Sequence, residues 1–406
     1  MKLYQKIFAV IFMVALMGFA ILNASVNFHS MKIEFSEIEK PQELDEVKAF
    51  TAELDNITAK NLVFDHAWNE AYAMVYNALG KNEENSFTYV RDKNGMLYSG
   101  NFWNTAPVST SEYVKRLNVI RKKVEGSDTK LVVLMYPQKY YEKWSEGYKG
   151  IPYNDYNLIY DELTSYFRYY SIDFVDYREY FLKNNWKADE IFFSADHHWT
   201  IEAAFAGHVE LVNYLNEEFD AGLDTYYTNI DNYDVVTYEE SYIGSQGRDA
   251  GIAYVGLDDF TLITPKFERE YYMRVDRGEE DWDEKKGDAF DTIINTSHLE
   301  ETDYYDKDLY SIYLSGVLPQ QFITNKDNEE GLKVLFIRDS YSSPLAVFFS
   351  PYCSQMDMYW SIHSTSEEME NAIETGDYDY IFIGLAVDSY VYDGLEIYVD
   401  EELTNE

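Results

Sequence analysis

Three short runs, "KLVVLMYP" from Lys130, "KVLFIRDS" from Lys333 and "YDYIFIGL" from Tyr378, are continuously apolar through their middles and show no polar alternation. A strand with one wet face alternates apolar and polar residues. A strand that does not is buried on both faces, which is the situation of a parallel sheet between two helical layers. Helical patterns separate these runs. Ser109 with Glu112 forms a capping box opening a helix with Val114, Leu117, Ile120 and Val124 on one face. A helix over 155–170 and a strand "IDFVDY" follow, then Thr200 as N-cap of a helix bearing Ile201, Ala204, Phe205, Val212 and Leu215. After "KVLFIRDS" come a short helix "SSPLAVFFS" with Pro344 in its first turn, a strand "MDMYW" and a helix "SEEMENAIET". Alternating strands and helices joined by right-handed crossovers predict an α/β fold, a doubly wound, mostly parallel sheet.

The remainder divides around this core. Lys2 and Lys6 precede an uncharged apolar run, Ile7 to Leu22. That run is close to the roughly 20 residues that cross a bilayer, and lysines at its front predict a cytoplasmic N-terminus. Residues 1–25 are read as an uncleaved membrane anchor, with a cleavable signal segment as the rival, so the body is expected on the extracytoplasmic face of the cell membrane. Residues 26–60 are polar and read as a stalk, and 61–406 as the α/β domain. Within it, Asn94-Gly95 marks a hairpin, and 217–330, rich in Tyr and Asp, is expected to be an irregular elaboration.

Composition narrows the partners. Against 33 Lys and Arg stand 73 Asp and Glu, a net charge of −40, which repels nucleic acid. The single cysteine, Cys353, forms no intramolecular disulfide. The 39 tyrosines suit either core packing or the faces of sugars.

Open α/β sheets place their sites at the carboxyl ends of the strands. Ser340 directly follows the run "VLFIRD", on a strand-to-helix turn where backbone N–H groups can hold an oxyanion. Asp196 and His198 lie in "FFSADHHWTIEAA", ahead of a helix. If that loop is extended, residues two apart point the same way, into one pocket. An imidazole that takes a proton from a hydroxyl, oriented by a carboxylate, is the machinery of acyl transfer. Taken alone, Ser340 also suits a helix cap, because Asp-Ser pairs favour turns. The Asp-His-His cluster also suits a metal, but a tetrahedral zinc site needs further ligands and His208 is the only near candidate. His197 is read as supporting the pair. The run "DRGEEDWDEKKGD" has Lys285 and Lys286 where an EF-hand needs a ligand and a glycine, and is read as a solvated loop. No metal and no cofactor are expected.

"ADHHWT" resembles the signature of the bacterial DHHW protein family. It is also similar to the Asp-x-His-Trp motif of SGNH-like proteins that O-acetylate alginate and other exopolysaccharides. "DKNGMLYSG", "VVLMYPQK" with Pro137 and Lys139, "IDFVDYREYF", "GSQG" after Tyr242 and "FIRDSYSSP" resemble further blocks of that family in order, across about Gly95 to Leu385. The resemblance implies an SGNH-hydrolase-like three-layer α/β/α fold in permuted order. It carries over Ser340 as nucleophile, His198 as base and Asp196 as orienting acid. Gly244 and the Ser340 N–H are the expected oxyanion donors, with His197, Trp199, Lys139 and Arg338 expected in support. Arg338 stands where ordinary SGNH enzymes have the glycine of Gly-Asp-Ser.

The expected function is that of a membrane-anchored enzyme that adds or removes O-acetyl groups on a cell-surface polysaccharide. A transferase would need a multi-span membrane acyltransferase as partner, because acetyl-CoA stays in the cytoplasm. The alternative is a non-catalytic SGNH-like glycan-binding or envelope scaffold, which Arg338 and the aromatic richness favour.

Overall fold

The computed structural model of the protein describes residues 3–38, 41, 46–100, 110–278, 282–392 and 395–398. It divides into two compact units, Met1–Leu79 and Gly80–Glu406. The first is helical: α1 (Leu3–Glu37), α2 (Glu46–Lys60) and α3 (Asp65–Ala78). Residues 3–36 of α1 are long and apolar enough to cross a membrane, the most apolar 18-residue stretch having a mean hydropathy of 2.5. The expected stalk is therefore largely helix, and α3, which the sequence places in the α/β domain, groups with α1 and α2.

The second unit opens with a small antiparallel sheet of β1 (Glu83–Glu84), β2 (Tyr89–Arg91) and β3 (Leu97–Ser99). Asn94-Gly95 turns β2 into β3, and Gly95 takes a φ of +91°, which only glycine adopts without strain. Next come α4 (Thr110–Lys123), β4 (Lys130–Met135), α5 (Asn157–Tyr170), β5 (Asp173–Asp176), α6 (Tyr177–Lys183), α7 (Ala188–Ile191) and α8 (Ile201–Phe219). Ser109, the expected cap of α4, lies outside the described residues. Thr200 does cap α8, its hydroxyl accepting from Ala203 N at 3.1 Å. After β6 (Tyr233–Tyr242), α9 (Gly244–Ala250), α10 (Ile252–Val255), β7 (Asp258–Pro265), β8 (Tyr271–Asp276), β9 (Trp282–Gly287) and β10 (Gln320–Asn325), the parallel rhythm returns. It runs through β11 (Leu332–Arg338), α11 (Ser342–Phe349), β12 (Cys353–Trp360), α12 (Ser366–Thr375), β13 (Tyr380–Leu385) and α13 (Val387–Tyr392).

The main sheet has eight strands in the order β5-β4-β13-β11-β12-β10-β8-β9. The first five are parallel and the last three antiparallel. The continuously apolar strands behave as their sequences require. In β4, Val132 and Leu134 enter one core while Leu131, Val133 and Met135 enter the other. Val334 and Phe336 are split in the same way from Leu335 and Ile337 in β11. Residues of α8 and α11 line the first core and those of α4, α5 and α12 the second, giving three layers.

Two readings of 217–330 need correction. The segment is not only an irregular elaboration, because β8, β9 and β10 extend the main sheet. In β8 tyrosine and charge mask the alternation: Met273 and Val275 are buried while Arg274 faces water. The acidic run is not wholly a solvated loop either, since its second half, Trp282–Gly287, pairs with β8 as an edge strand.

Phe336 sits fully buried in the central strand β11, against Phe382 at 4.9 Å between ring centroids. Phe336→Ala is expected to cost about 3–5 kcal/mol. Denaturant unfolding should show a lower midpoint with an unchanged m-value.

Candidate active site

Ser340 stands two residues beyond the end of β11, half-buried, on the turn into α11. Asp339 fixes that turn. Its Oδ1 accepts from Tyr341 N at 3.0 Å, and its Oδ2 from Ala386 N at 2.6 Å and Ser389 Oγ at 2.9 Å, pinning the turn to the end of β13. Burial pushes the Asp339 carboxyl up to about 6.

The Asp/His loop is a closed bend between α7 and α8. Phe192 and Trp199 form an antiparallel bridge at its neck, and Thr200 N donates to Ile191 O at 2.7 Å. Asp196 and His198 therefore do not meet because the loop is extended. They meet because it is tightly turned: His198 N donates to Asp196 Oδ1 at 2.8 Å, a local side-chain-to-backbone bond of the kind that makes Asp a turn former. The same carboxylate oxygen lies 2.5 Å from His198 Nδ1, and His198 Nε2 lies 2.6 Å from Ser340 Oγ. Serine, imidazole and carboxylate, 142 residues apart at the Ser340–His198 contact, form one hydrogen-bonded line.

The other carboxylate oxygen, Oδ2, accepts from Tyr242 OH at 3.0 Å and Ser245 N at 2.6 Å. Burial alone would raise the Asp196 pKa. The His198 and His197 rings and these hydrogen bonds outweigh it and hold the carboxyl well below its usual range. With Nδ1 facing a carboxylate, Nε2 of the neutral ring is free to accept the Ser340 proton. The His198 ring is sandwiched between Tyr310, stacked at 3.9 Å, and His197, at 3.8 Å.

The supporting residues each have a place. His197 Nδ1 lies 2.8 Å from Ser245 Oγ, and its carbonyl accepts from the Tyr341 hydroxyl. Trp199 is fully buried, its Nε1 donating to Tyr341 O at 3.1 Å and Tyr310 OH at 3.2 Å. It therefore ties the histidine loop to the residue after Ser340. Lys139 donates to the carbonyls of Ser194 and Asp196. Arg338 is fully buried, its guanidinium donating to Asp339 O at 3.3 Å, Ser343 Oγ at 3.0 Å and the Gln321 side chain. Ser340 thus remains accessible although an arginine stands at the usual glycine position.

Gly244 packs on the carboxylate. Its φ is +67°, and a Cβ there would lie 2.5 Å from Asp196 Cβ and 2.6 Å from Ala195 O. Glycine is required at this close approach whatever the role of its amide. The Ser340 N–H donates to no acceptor among the described residues.

Among the described residues, Asp196, His197 and His198 each present a donor atom within 4.8 Å of the others and form a cluster that could hold a metal ion. Their donors are engaged with one another and with Ser245. His208, the further ligand weighed from sequence, is elsewhere, among Phe205, Phe348 and Tyr352 with Nε2 3.3 Å from Tyr227 O. Sequence reasoning missed Tyr242 and Tyr310. Tyr242 lies two residues before the quoted "GSQG", whereas Tyr310, in a turn of an acidic segment, gives no local signal.

Two results are expected. The depressed Asp196 pKa stabilises the fold above the ordinary carboxylate value of about 3.9, and that stability is lost as pH falls toward the folded value. Urea unfolding from about pH 5 to about pH 3 should therefore show a shallower loss for Asp196→Asn than for wild type. Gly244→Ala should lower the melting temperature, since neither the backbone nor Asp196 can move away freely.

The family model described as SGNH hydrolase-like domain, acetyltransferase AlgX, matches residues 94–228, which include Asp196 and His198 and end before Ser340. No curated protein matches the chain by sequence. Among solved structures, Bacillus cereus PatB1 superposes at a TM-score of 0.57, with 13% identity over 76% of this chain and 99% of that one. PatB1 with a sulfonyl adduct gives 0.58, with 13% identity over 77% and 99%. A DHHW family protein from Eubacterium siraeum gives 0.54, with 16% identity over 76% and 95%. At such identities the likeness is one of fold. The chain has an SGNH-like α/β fold and, over residues 94–228, is similar to the SGNH hydrolase-like domain of the acetyltransferase AlgX family.

Proposed function

We propose that this chain is a membrane-anchored, extracytoplasmic serine acyl-ester enzyme that transfers or removes O-acetyl groups on a cell-surface polysaccharide. The observation that carries the reading is the line from Ser340 Oγ through His198 Nε2 and Nδ1 to Asp196, with contacts of 2.6 and 2.5 Å. Ser340 Oγ attacks the acyl carbonyl while its proton passes to His198 Nε2, and Asp196 stabilises the imidazolium that results. The unengaged Ser340 N–H, with the amide of Gly244, receives the negative charge that develops on the carbonyl oxygen. The alcohol leaves with the proton from His198. A sugar hydroxyl or water then gives its proton to the same nitrogen and attacks the acyl-serine, regenerating Ser340.

The matched family's description names an acetyltransferase, which supports acetyl as the acyl group, and the apolar α1 supports anchoring. Extracytoplasmic transfer requires an activated acyl donor from across the bilayer, and a multi-span membrane acyltransferase is the partner proposed to deliver it. Of the two features that favour a non-catalytic scaffold, Arg338 and the aromatic richness, the first is weakened because the Arg338 side chain is buried against Gln321 and Ser343.

The test is hydrolysis of p-nitrophenyl acetate by the purified chain. Ser340→Ala and His198→Ala are each expected to lower kcat by at least about a thousandfold. The double variant should be no worse than either single one, since the two groups act as a unit. Activity unaffected by either substitution would refute the enzyme reading.

A further inference from the structure

Lys139 lies beyond the end of β4 and is buried to 5% exposure. Its ammonium has three N–H groups and meets three acceptors: Ser194 O at 3.1 Å, Asp196 O at 2.5 Å and Gln246 Oε1 at 3.0 Å. Two of these are backbone carbonyls of the loop that carries Asp196 and His198. The third belongs to α9, whose first turn supplies the Ser245 N–H to Asp196. One buried cation therefore joins the segment after β4 to both segments that hold the carboxylate.

The carboxylates around it are committed elsewhere. Both oxygens of Asp258 accept loop amides, from Ser194 N at 3.0 Å and Ala195 N at 2.9 Å. Asp92, in the β2–β3 turn, accepts from Asn94 N, Met96 N and Tyr98 OH. Asp196 is engaged as described above, and the Tyr98 ring lies 5.7 Å from the ammonium. Among the described residues no carboxylate forms a direct ion pair with Lys139.

We propose that Lys139 is a positioning residue whose ammonium, by filling three acceptors at once, holds Asp196 and His198 in register with Ser340, and that loss of one proton releases the loop. A neutral amine has two N–H groups and a lone pair, so one buried carbonyl would lose its donor and face that lone pair. Burial lowers the Lys139 pKa, the three carboxylates partly offset it, and the group sits at about 7, where the change is accessible. The sign follows: below that value the ammonium is complete and the loop is held, and above it the loop is freed. The proposal rests on the serine–histidine–aspartate reading, for which no alkaline loss near neutrality is otherwise expected.

The test uses the full chain in detergent micelles, from about pH 5 to about pH 10. Two readouts are followed: kcat on p-nitrophenyl acetate, and the low-field proton resonance of His198 Nδ1–H hydrogen-bonded to Asp196. In wild type both should decline above about pH 7. Gln246→Glu adds a carboxylate beside the ammonium and should move both declines up by about one pH unit or more. Lys139→Met should lower kcat at least about tenfold at all pH values, with little change in KM, no alkaline decline and no low-field resonance. The idea fails if the declines have the same midpoint in wild type and Gln246→Glu, or if Lys139→Met keeps wild-type kcat and resonance. If wild type hydrolyses no ester, the enzyme reading fails, and the resonance of wild type and Gln246→Glu still decides the role of Lys139. The same comparison decides it if Lys139→Met does not fold.

Discussion

Asp196 carries a carboxylate that burial by itself would neutralise. The fold keeps it ionised by surrounding it with donors from its own loop, from the end of β6 and from the start of α9. An ionised group so enclosed is costly unless every lone pair is met, so the geometry around it is over-determined. The shape of the loop, the glycine at 244 and the burial of Tyr242 all follow from that requirement. So does the orientation of His198, because only a carboxylate at Nδ1 leaves Nε2 free to face Ser340.

The sheet supplies the other half of the geometry. Ser340 is placed by β11, a strand with no freedom to shift, since a slip of one residue would exchange the contents of two separate cores. Trp199 then links the two halves, being the neighbour of His198 in sequence and the donor to Tyr341 O in space. Gly207 on α8 makes room for it: a Cβ there would fall 2.9 Å from the indole. The turn bearing Ser340 and the cross-braced histidine loop thus hold Ser340, His198 and Asp196 in fixed geometry, the preorganisation that the proposed acyl transfer needs as charge develops.

Much of this was legible in the sequence because the signals were local. Continuous apolar runs predict strands buried on both faces, and β4, β11 and β13 are such strands. Thr200 predicts a helix start and caps α8. Ser340, His198 and Asp196 were singled out by residue type and by position ahead of helices. What was not legible depends on distant contacts. In β8 and β9 tyrosine and charge occupy the less buried positions, and in β10 the buried positions include Gln320, Gln321 and Asn325, so composition masks the alternation. Nothing near Tyr310 marks it as the ring beneath His198. The inward course of Arg338 depends on Gln321 in another strand. Asp196 and His198 lie 2.5 Å apart because the loop bends, whereas the sequence predicts an extended backbone there.

The account's central claim is that Ser340 is a nucleophile activated by His198. A sulfonyl fluoride tests it directly, because the serine oxygen displaces fluoride only if a base removes its proton. Mass spectrometry of the digested protein should find the sulfonyl group on the peptide containing Ser340 in wild type, and none there in His198→Ala. Equal labelling of Ser340 in the two proteins, or labelling confined to other residues, would contradict the claim.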